Sequence, residues 1–121
     1  MTQENKELLL KDLCGRLPYG VKVKIYNHWR DECEDETLTL ENYAKLINTF
    51  SVEDVKPYLF PLSSMTEEQR KEFDTTLKYL PAEEIDVWTL DTYDWCDKNH
   101  FDYRGLIPIG LATDATNLNI Y

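Results

Sequence analysis

The segment from Val21 to Tyr26 alternates apolar and polar residues, and this alternation constrains the fold more than any other feature of the chain. Its odd-numbered apolar residues and even-numbered polar residues would lie on opposite faces of an extended strand. A strand of this pattern has one face buried and one face in water. The segment therefore predicts a half-buried strand, followed by a returning strand at Thr37–Leu40.

A dense acidic run lies between these two predicted strands. Five of the six residues at positions 31–36 are acidic: Asp31, Glu32, Glu34, Asp35 and Glu36. Because so many like charges cannot be desolvated together, we expect them at a hairpin tip or loop. The run has three interpretations: a loop that keeps the protein soluble, a docking surface for a basic partner, or a mimic of a phosphate backbone. His28 and Trp29 lie beside it and are candidate partner contacts, because exposed tryptophan favours protein interfaces.

Helical periodicity occurs at the start of the chain. Thr2 can cap a first helix that runs to about Leu17, where Pro18 ends it. Its apolar face would consist of Leu10, Leu13, Cys14 and Leu17. Gly15 weakens this helix by roughly 1 kcal/mol relative to alanine and indicates a close packing point.

The middle of the chain predicts a short helix, a strand and a longer helix in that order. The short helix covers positions 43–50, and the strand covers 55–62, where Pro57 and Pro61 would confine it to a sheet edge. Thr66 and Gln69 form a capping box at the start of the longer helix, which would end before Pro81. Together these elements predict a single α+β domain of residues 1–121. It would contain an N-terminal helix, a small mostly antiparallel sheet of about three strands, and two further helices packed on it.

The last predicted helix, from about Leu90 to His100, carries aromatic and acidic residues on different sides. Its core-facing side would consist of Trp88, Thr92, Trp95, Cys96 and Asn99. Asp91, Asp94 and Asp97 would form an exposed acidic arc. With His100, these aspartates could hold a divalent ion, but ligands at this spacing need partners from elsewhere in the chain. A solvated acidic face explains the same residues, so we expect no metal.

The residues that follow this helix also have two interpretations. His100, Asp102 and Arg104 could act as a general base, an orienting carboxylate and an anion clamp. Alternatively, the histidine closes the helix and an aspartate–arginine salt bridge fixes the tail. The same residue types satisfy both interpretations, and we favour the structural one.

Charge and cysteine content limit the possible partners. The net charge is −10, and residues 1–30 hold six Lys/Arg against three Asp/Glu. An acidic body disfavours nucleic acid as a partner. The three cysteines are widely spaced without a CxxC pair, which argues against disulfides and zinc. No cofactor fingerprint and no long apolar span are present, so we expect a soluble, cytoplasmic protein without a cofactor.

Three blocks of the sequence resemble a family of short uncharacterised proteins from gut bacterial genomes and their prophages or mobile elements. The blocks read RLPYGVKVKI, KPYLFPLSSMTEEQ and NHFDYRGLIPIGLA. This chain has Phe60 where family members often carry a basic residue. The resemblance implies a mobile-element context and no particular reaction.

These observations predict a small, non-catalytic protein-binding or regulatory protein. One alternative is a small enzyme that uses His100, Asp102 and Arg104, and another is an acidic nucleic-acid mimic. The expected partner is a protein, with neither nucleic acid nor membrane indicated. The sequence gives no indication of oligomeric state.

Overall fold

The structure, a computed structural model, describes residues 1–121 and contains four α-helices, a four-stranded mixed sheet and a separate two-stranded hairpin. The helices are α1 (Gln3–Arg16), α2 (Tyr43–Thr49), α3 (Glu67–Thr76) and α4 (Leu90–Lys98). The strands are β1 (Val21–Asn27), β2 (Glu32–Leu38), β3 (Val55–Leu59), β4 (Lys78–Leu80), β5 (Ile85–Val87) and β6 (Thr113–Asp114). The predicted α+β class is confirmed, although the main sheet has four strands where about three were expected.

The main sheet has the strand order β2-β1-β3-β6. Strand β1 is antiparallel to both of its neighbours, and the two-residue β6 is parallel to β3. The expectation that prolines confine β3 to a sheet edge is therefore wrong. The ladder with β1 ends at Pro57, and the ladder with β6 begins at Tyr58, so the two neighbouring strands pair with different halves of β3. Proline has no N–H to donate, and neither ladder requires one at Pro57.

The acidic run does not form a loop, because residues 32–36 belong to β2. Only the turn that precedes β2 lies at the hairpin tip. Strand β2 lies at one edge of the sheet, and Leu38 is its only buried residue. The carboxylates therefore stay hydrated within a regular strand, and the desolvation argument that predicted a loop does not apply to such an exposed edge.

Helix α1 covers the apolar face of β1, with Thr2 as its cap: the Thr2 hydroxyl accepts a hydrogen bond from the Asn5 N–H. The buried positions of α1 are Leu9, Asp12, Leu13 and Arg16. The predicted face was therefore rotated by about one residue: Leu10 is half-buried and Cys14 is exposed. Together with apolar residues of the sheet and of the segment 106–112, α1 forms the larger hydrophobic core.

Helices α3 and α4 form a second, smaller core around Phe73, Cys96 and Phe101. Each begins with a capping box, the predicted one at Thr66 and another at Thr89. On α4, Thr92 and Cys96 are buried as expected. Trp88 and Trp95 are half-buried, so the prediction of a fully buried tryptophan face is only partly correct. Trp95 stacks on Phe101 with ring centroids 5.4 Å apart.

Helix α3 ends at Thr76, four residues before the predicted end, and the β4–β5 hairpin takes the place of its last turn. The hydroxyl of Thr76 donates back to the Phe73 carbonyl, and the hydroxyl of Thr89 donates to the Thr76 carbonyl. These bonds occupy carbonyls that a longer helix would need, which favours termination. None of the four helices has the length and apolar character needed to cross a membrane.

Candidate functional site

A buried ion-pair cluster of Asp12, Arg16, Asp97 and Arg104 lies between α1, α4 and the segment that follows α4. The side chains of Asp12 and Arg16 are 0% exposed. Arg16 binds Asp12 through two nitrogens, at 2.9 and 3.1 Å. Arg104 donates to Asp12 Oδ1 at 2.8 Å, the same oxygen that accepts the longer of these two bonds. Two arginines thus share one fully buried carboxylate, while Asp97 lies 3.9 Å from the Arg16 guanidinium.

Arg16 also joins the first helix to the end of the last one. Its guanidinium donates to the main-chain carbonyls of Phe101 at 2.6 Å and Cys96 at 3.4 Å. Such bonds satisfy the donors that burial would otherwise leave unpaired. Burial raises the pKa of Asp97, and the nearby Arg16 charge opposes this rise. No cavity is lined by these residues. The cluster therefore fastens structural elements together and offers no room for a substrate.

The sequence contained a signal for this cluster that the apolar pattern concealed. Positions 9, 12, 13 and 16 follow the spacing of one helix face, so Asp12 and Arg16 share the buried face with Leu9 and Leu13. Gly15 was predicted to mark a close approach, and a Cβ at that position would lie 3.3 Å from the Asp97 carboxylate. That prediction is confirmed.

His100 closes α4 in a left-handed conformation with φ 64°. The Phe101 N–H donates to the Cys96 carbonyl, and the His100 N–H donates to the Asp97 carbonyl. This pair of bonds is a Schellman motif, and it satisfies the last carbonyls of the helix. The imidazole stacks on Tyr121 with ring centroids 3.7 Å apart, and its buried Nδ1 has no hydrogen-bond partner. Burial, with a smaller contribution from Arg16, lowers the pKa of His100 to about 4, which favours the neutral ring.

Asp102 and Arg104 have partners of their own. The Asp102 carboxylate accepts the main-chain N–H groups of Leu106 and Ile107 at 2.8 and 2.9 Å, which fixes the turn that follows. Arg104 reaches across to Asp12, so the salt bridge of the tail is made to α1 and not to Asp102. The structure thus gives His100, Asp102 and Arg104 three separate contacts. It does not bring them to a common cavity.

The aspartates proposed as a metal site are also separated by the fold. Asp91 and Asp94 are exposed on α4, whereas Asp97 is 6% exposed and belongs to the ion-pair cluster. The expectation of an exposed arc is therefore wrong for Asp97, which is buried beside Arg16, and the charges of Arg16 and Arg104 oppose only part of the pKa rise that burial causes. No group of three or more potential metal ligands comes together in the structure.

We use the term acidic edge for the outer side of β2 together with the carboxylates of Asp31, Glu32, Glu34, Asp35 and Glu36. In register, Thr37 lies opposite Lys22 of β1. The main-chain N–H and C=O of Lys22 contact the Tyr121 hydroxyl and therefore point away from β2. Lys22 and Thr37 are thus a pair without ladder hydrogen bonds, and the backbone groups of Thr37 point to the free edge of β2. Because alternate residues share a direction, Cys33 and Asp35 also direct their backbone groups to the free edge.

The end of this edge at Thr37 is closed by a side chain. The Asn42 amide donates to the Thr37 carbonyl at 2.8 Å and accepts the Thr39 N–H at 2.8 Å. No neighbouring strand covers the positions before Thr37. The free part of the edge therefore lies at residues 32–36, where the carboxylates are concentrated.

The carboxylates of the acidic edge differ in how far the protein itself neutralises them. Asp35 accepts a hydrogen bond from the Tyr58 hydroxyl at 2.6 Å; burial and this carboxylate together raise the pKa of Tyr58. Arg30 lies 3.8 Å from both Glu32 and Glu34, and its side chain is 69% exposed. Exposed pairs at this distance contribute little. Glu36 has no ion-pair partner within 4 Å, so the edge retains excess negative charge.

An exposed tryptophan stands at the hairpin tip beside this edge. Trp29 is 75% exposed, and its ring lies in an edge-to-face arrangement with that of Phe50, with centroids 6.0 Å apart. The Asn27 side chain accepts the main-chain N–H groups of Trp29 and Arg30, which holds the turn in shape. His28 pairs with Asp54 at 2.9 Å. The predicted contact residues His28 and Trp29 thus lie next to the acidic edge, on a turn with a defined conformation.

Three shallow cavities occur on the surface. A cavity of about 190 Å³ on the open face of the sheet is lined by Lys24, Tyr26, Cys33, Glu53, Asp54 and Lys56. A cavity of about 230 Å³ lies near the start of α3, and one of about 210 Å³ lies beside Lys22 and Glu36. They are lined mostly by polar residues, whereas typical small-molecule sites are largely apolar. The acidic edge is thus the most distinctive exposed feature of the molecule.

Comparison of the chain with family models, with curated proteins and with solved structures finds no match.

Proposed function

We propose that this chain is a small non-catalytic binding or regulatory protein that docks a basic partner protein on its acidic edge. The observation that supports this proposal is an uncovered strand edge with four carboxylates on five consecutive residues, Glu32 to Glu36. An uncovered edge offers unpaired backbone donors and acceptors to an extended segment of another protein. The carboxylates then select the charge of that segment.

Charge also argues against a second copy of the same chain as the occupant. If two β2 edges paired, carboxylates would lie opposite carboxylates, and like charges directly across a ladder are destabilising. Natural proteins protect exposed edges from self-association in this way. A basic segment removes the repulsion, and complementary charge accelerates its association.

Trp29 extends the proposed surface beyond the strand. Tryptophan is enriched at the energetic centres of interfaces because one side chain supplies a large contact area. Its 75% exposure leaves most of that area free for a partner. Leu40, which is 69% exposed beyond the other end of β2, provides a second apolar contact. The proposed surface therefore combines a charged edge with an apolar residue at each end.

Binding of a defined basic peptide tests this function. A labelled ten-residue peptide of lysine and threonine is titrated with the protein, and its fluorescence anisotropy is measured at low and at physiological (about 0.15 M) ionic strength. We expect Glu32→Gln, Glu34→Gln and Glu36→Gln, combined in one variant, to weaken binding at least about tenfold, or ~1.4 kcal/mol. The affinity of the native protein should also fall as salt is added.

A matched control carries the same change of net charge elsewhere. Glu67, Glu68 and Glu83 are exposed and lie outside the sheet, so their replacement by glutamine should leave the affinity within about twofold. Equal weakening by both triple variants would show a response to overall charge and would contradict docking at the edge. Absence of peptide binding at low salt would contradict the proposed function as a whole.

We also propose a mobile-element origin, which the sequence resemblance implies. The genes next to this one in its native genome test that origin. Integrase or phage structural genes nearby would support it, and a neighbourhood of housekeeping genes alone would contradict it.

A further inference from the structure

The two faces of the acidic edge are chemically different. Glu32, Glu34 and Glu36 lie opposite Asn27, Ile25 and Val23 of β1, so their side chains share the face on which β1 carries its apolar residues. Cys33 and Asp35 share the other face with Lys24 and Tyr26. Alternate side chains on one face of a strand are roughly 6.6 Å apart. The first face is therefore a row of three carboxylates at regular spacing.

The second face carries little free negative charge. Asp35 accepts the Tyr58 hydroxyl and lies opposite Lys24 in the ladder with β1. Cys33 is a free thiol. A segment that added to this edge would therefore meet three carboxylates with a single exposed arginine beside them on one of its faces and a nearly neutral surface on the other.

Strand addition converts this difference into a sequence preference. Residues of an added strand alternate between the same two faces, and each lies beside a residue of β2 on its own face. Basic side chains at every second position would all lie beside the row of Glu32, Glu34 and Glu36. Adjacent basic residues would place about half of their charge on the neutral face.

We infer that the partner segment is an extended strand with Lys or Arg at every second position and uncharged residues between them, recognised by strand addition to β2. This inference depends on the proposed function and makes it more specific. A lysine of the partner competes with one base of the protein itself for this row of carboxylates. That base is Arg30, which is exposed and lies 3.8 Å from two of the three carboxylates. An incoming lysine therefore displaces only a weak ion pair.

Two peptides of identical composition test the preference. In one, three lysines alternate with threonines; in the other, the three lysines are adjacent and the threonines flank them. We expect the alternating peptide to bind the native protein at least about tenfold more tightly. If the two peptides bound with equal affinity and Glu34→Gln still weakened binding, the inferred preference for alternating lysines would be overturned. The proposed function would remain intact. Failure of both peptides to bind at low salt would overturn the preference for alternating lysines and the proposed function together.

A second pair of peptides tests strand addition itself and does not depend on the folding of any variant. N-methylation removes main-chain donors, and the donors of an added strand alternate between its two edges. One alternating peptide is methylated only at its threonines and the other only at its lysines. Loss of binding by one of them, with retention by the other, supports strand addition. Retention of full affinity by both would overturn it.

A substitution in the protein provides the matching measurement. Because the Cys33 N–H points to the free edge, Cys33→Pro removes a donor from the docking surface and leaves the ladder with β1 complete. We expect this variant to lose at least about tenfold in affinity for the alternating peptide, while Cys33→Ser retains it. Thermal unfolding establishes that each variant is folded. Full affinity of a folded Cys33→Pro variant would overturn the assignment of this edge.

Discussion

The buried ion-pair cluster and the acidic edge both concentrate charged side chains, but they differ in charge balance and in hydration. In the cluster, two arginines face two aspartates, and the central pair is completely buried. Along the edge, one exposed arginine lies within 4 Å of two of the five carboxylates. Burial requires each charge in the cluster to have an internal partner, whereas water allows the edge to keep an excess of one sign.

This difference indicates separate roles for the two regions. A buried charge whose partner is removed remains desolvated and unpaired, so changes in the cluster should affect folding. An exposed charge without a partner costs little, so changes at the edge should affect association. The predictions below test this separation, beginning with the largest expected effect.

Removal of Arg16 should be the most damaging single change. Arg16→Met leaves Asp12 buried with only Arg104 as its partner and removes one hydrogen-bond donor from each of the Cys96 and Phe101 carbonyls. Loss of one partner from a buried pair typically costs about 3 to 5 kcal/mol. Urea denaturation measures this loss. Arg30→Ala is the matched control, because Arg30 is an exposed arginine with two carboxylate neighbours and should cost only a few tenths of a kcal/mol. Equal losses in the two variants would remove the distinction between the regions.

Acid should destabilise the protein through His100. The pKa of His100 is lowered from 6.5 to about 4 in the folded protein, so between these values the unfolded chain binds a proton that the folded chain does not. The contribution of His100 to the free energy of unfolding should therefore decrease as the pH falls from 6.5 to about 4, by about 1.4 kcal/mol per pH unit and by about 3 kcal/mol in all. The difference in unfolding free energy between native protein and His100→Asn, measured from pH 7 to pH 4, isolates this contribution. Asparagine also tolerates the left-handed conformation. Parallel pH profiles for the two proteins would contradict the prediction.

Trp95→Ala should have an intermediate effect. Trp95 stacks on Phe101 and contacts the edge of Phe73, but it is only half-buried. Loss of a fully buried tryptophan costs about 3 to 5 kcal/mol, so we expect about 2 kcal/mol here. The midpoint of urea denaturation gives the value. A loss below about 0.5 kcal/mol would show that the second core contributes little to folding.

Local patterns in the sequence predicted the elements that depend on local interactions. The alternation at Val21–Tyr26 predicted β1, and the Thr66 capping box predicted the start of α3, because both signals lie within a few residues of each other. The returning strand was predicted at Thr37–Leu40, but β2 begins five residues earlier, at Glu32. Its first residues were assigned to a loop because an exposed edge strand carries no alternation of apolar and polar residues. The β4–β5 hairpin was missed because each strand has three residues, too few for a periodic pattern.

The buried ion-pair cluster depends on contacts between distant parts of the chain. Asp12 and Arg16 are an ordinary i, i+4 pair in sequence, and the same spacing is common on exposed helices. Their burial requires Arg104, Cys96 and Phe101, which lie at least 80 residues away along the chain. The free edge of β2 likewise follows from strand order, which a single sequence does not specify. For this reason the acidic residues could be named as candidates, but their arrangement on a strand could not be predicted.

The acidic edge should show the smallest effect on stability. The triple variant Glu32→Gln, Glu34→Gln and Glu36→Gln should change the unfolding free energy by no more than a few tenths of a kcal/mol per site, because these side chains are largely hydrated. Relief of like-charge repulsion could even make the change slightly favourable. Thermal and urea denaturation provide the comparison. A loss above about 2 kcal/mol would assign these carboxylates a role in folding.

The most direct test of docking at the edge is a heteronuclear NMR titration of the native protein with the alternating lysine–threonine peptide. If the peptide adds to β2, the main-chain amide signals of Cys33 and Asp35 should shift the most, since their N–H groups point to the free edge. The signals of Trp29 and its turn should shift less, and those of α3 and α4 should stay in place. Shifts concentrated on α3 and α4, with the signals of residues 32–36 unchanged, would contradict the assignment of β2 as the docking surface.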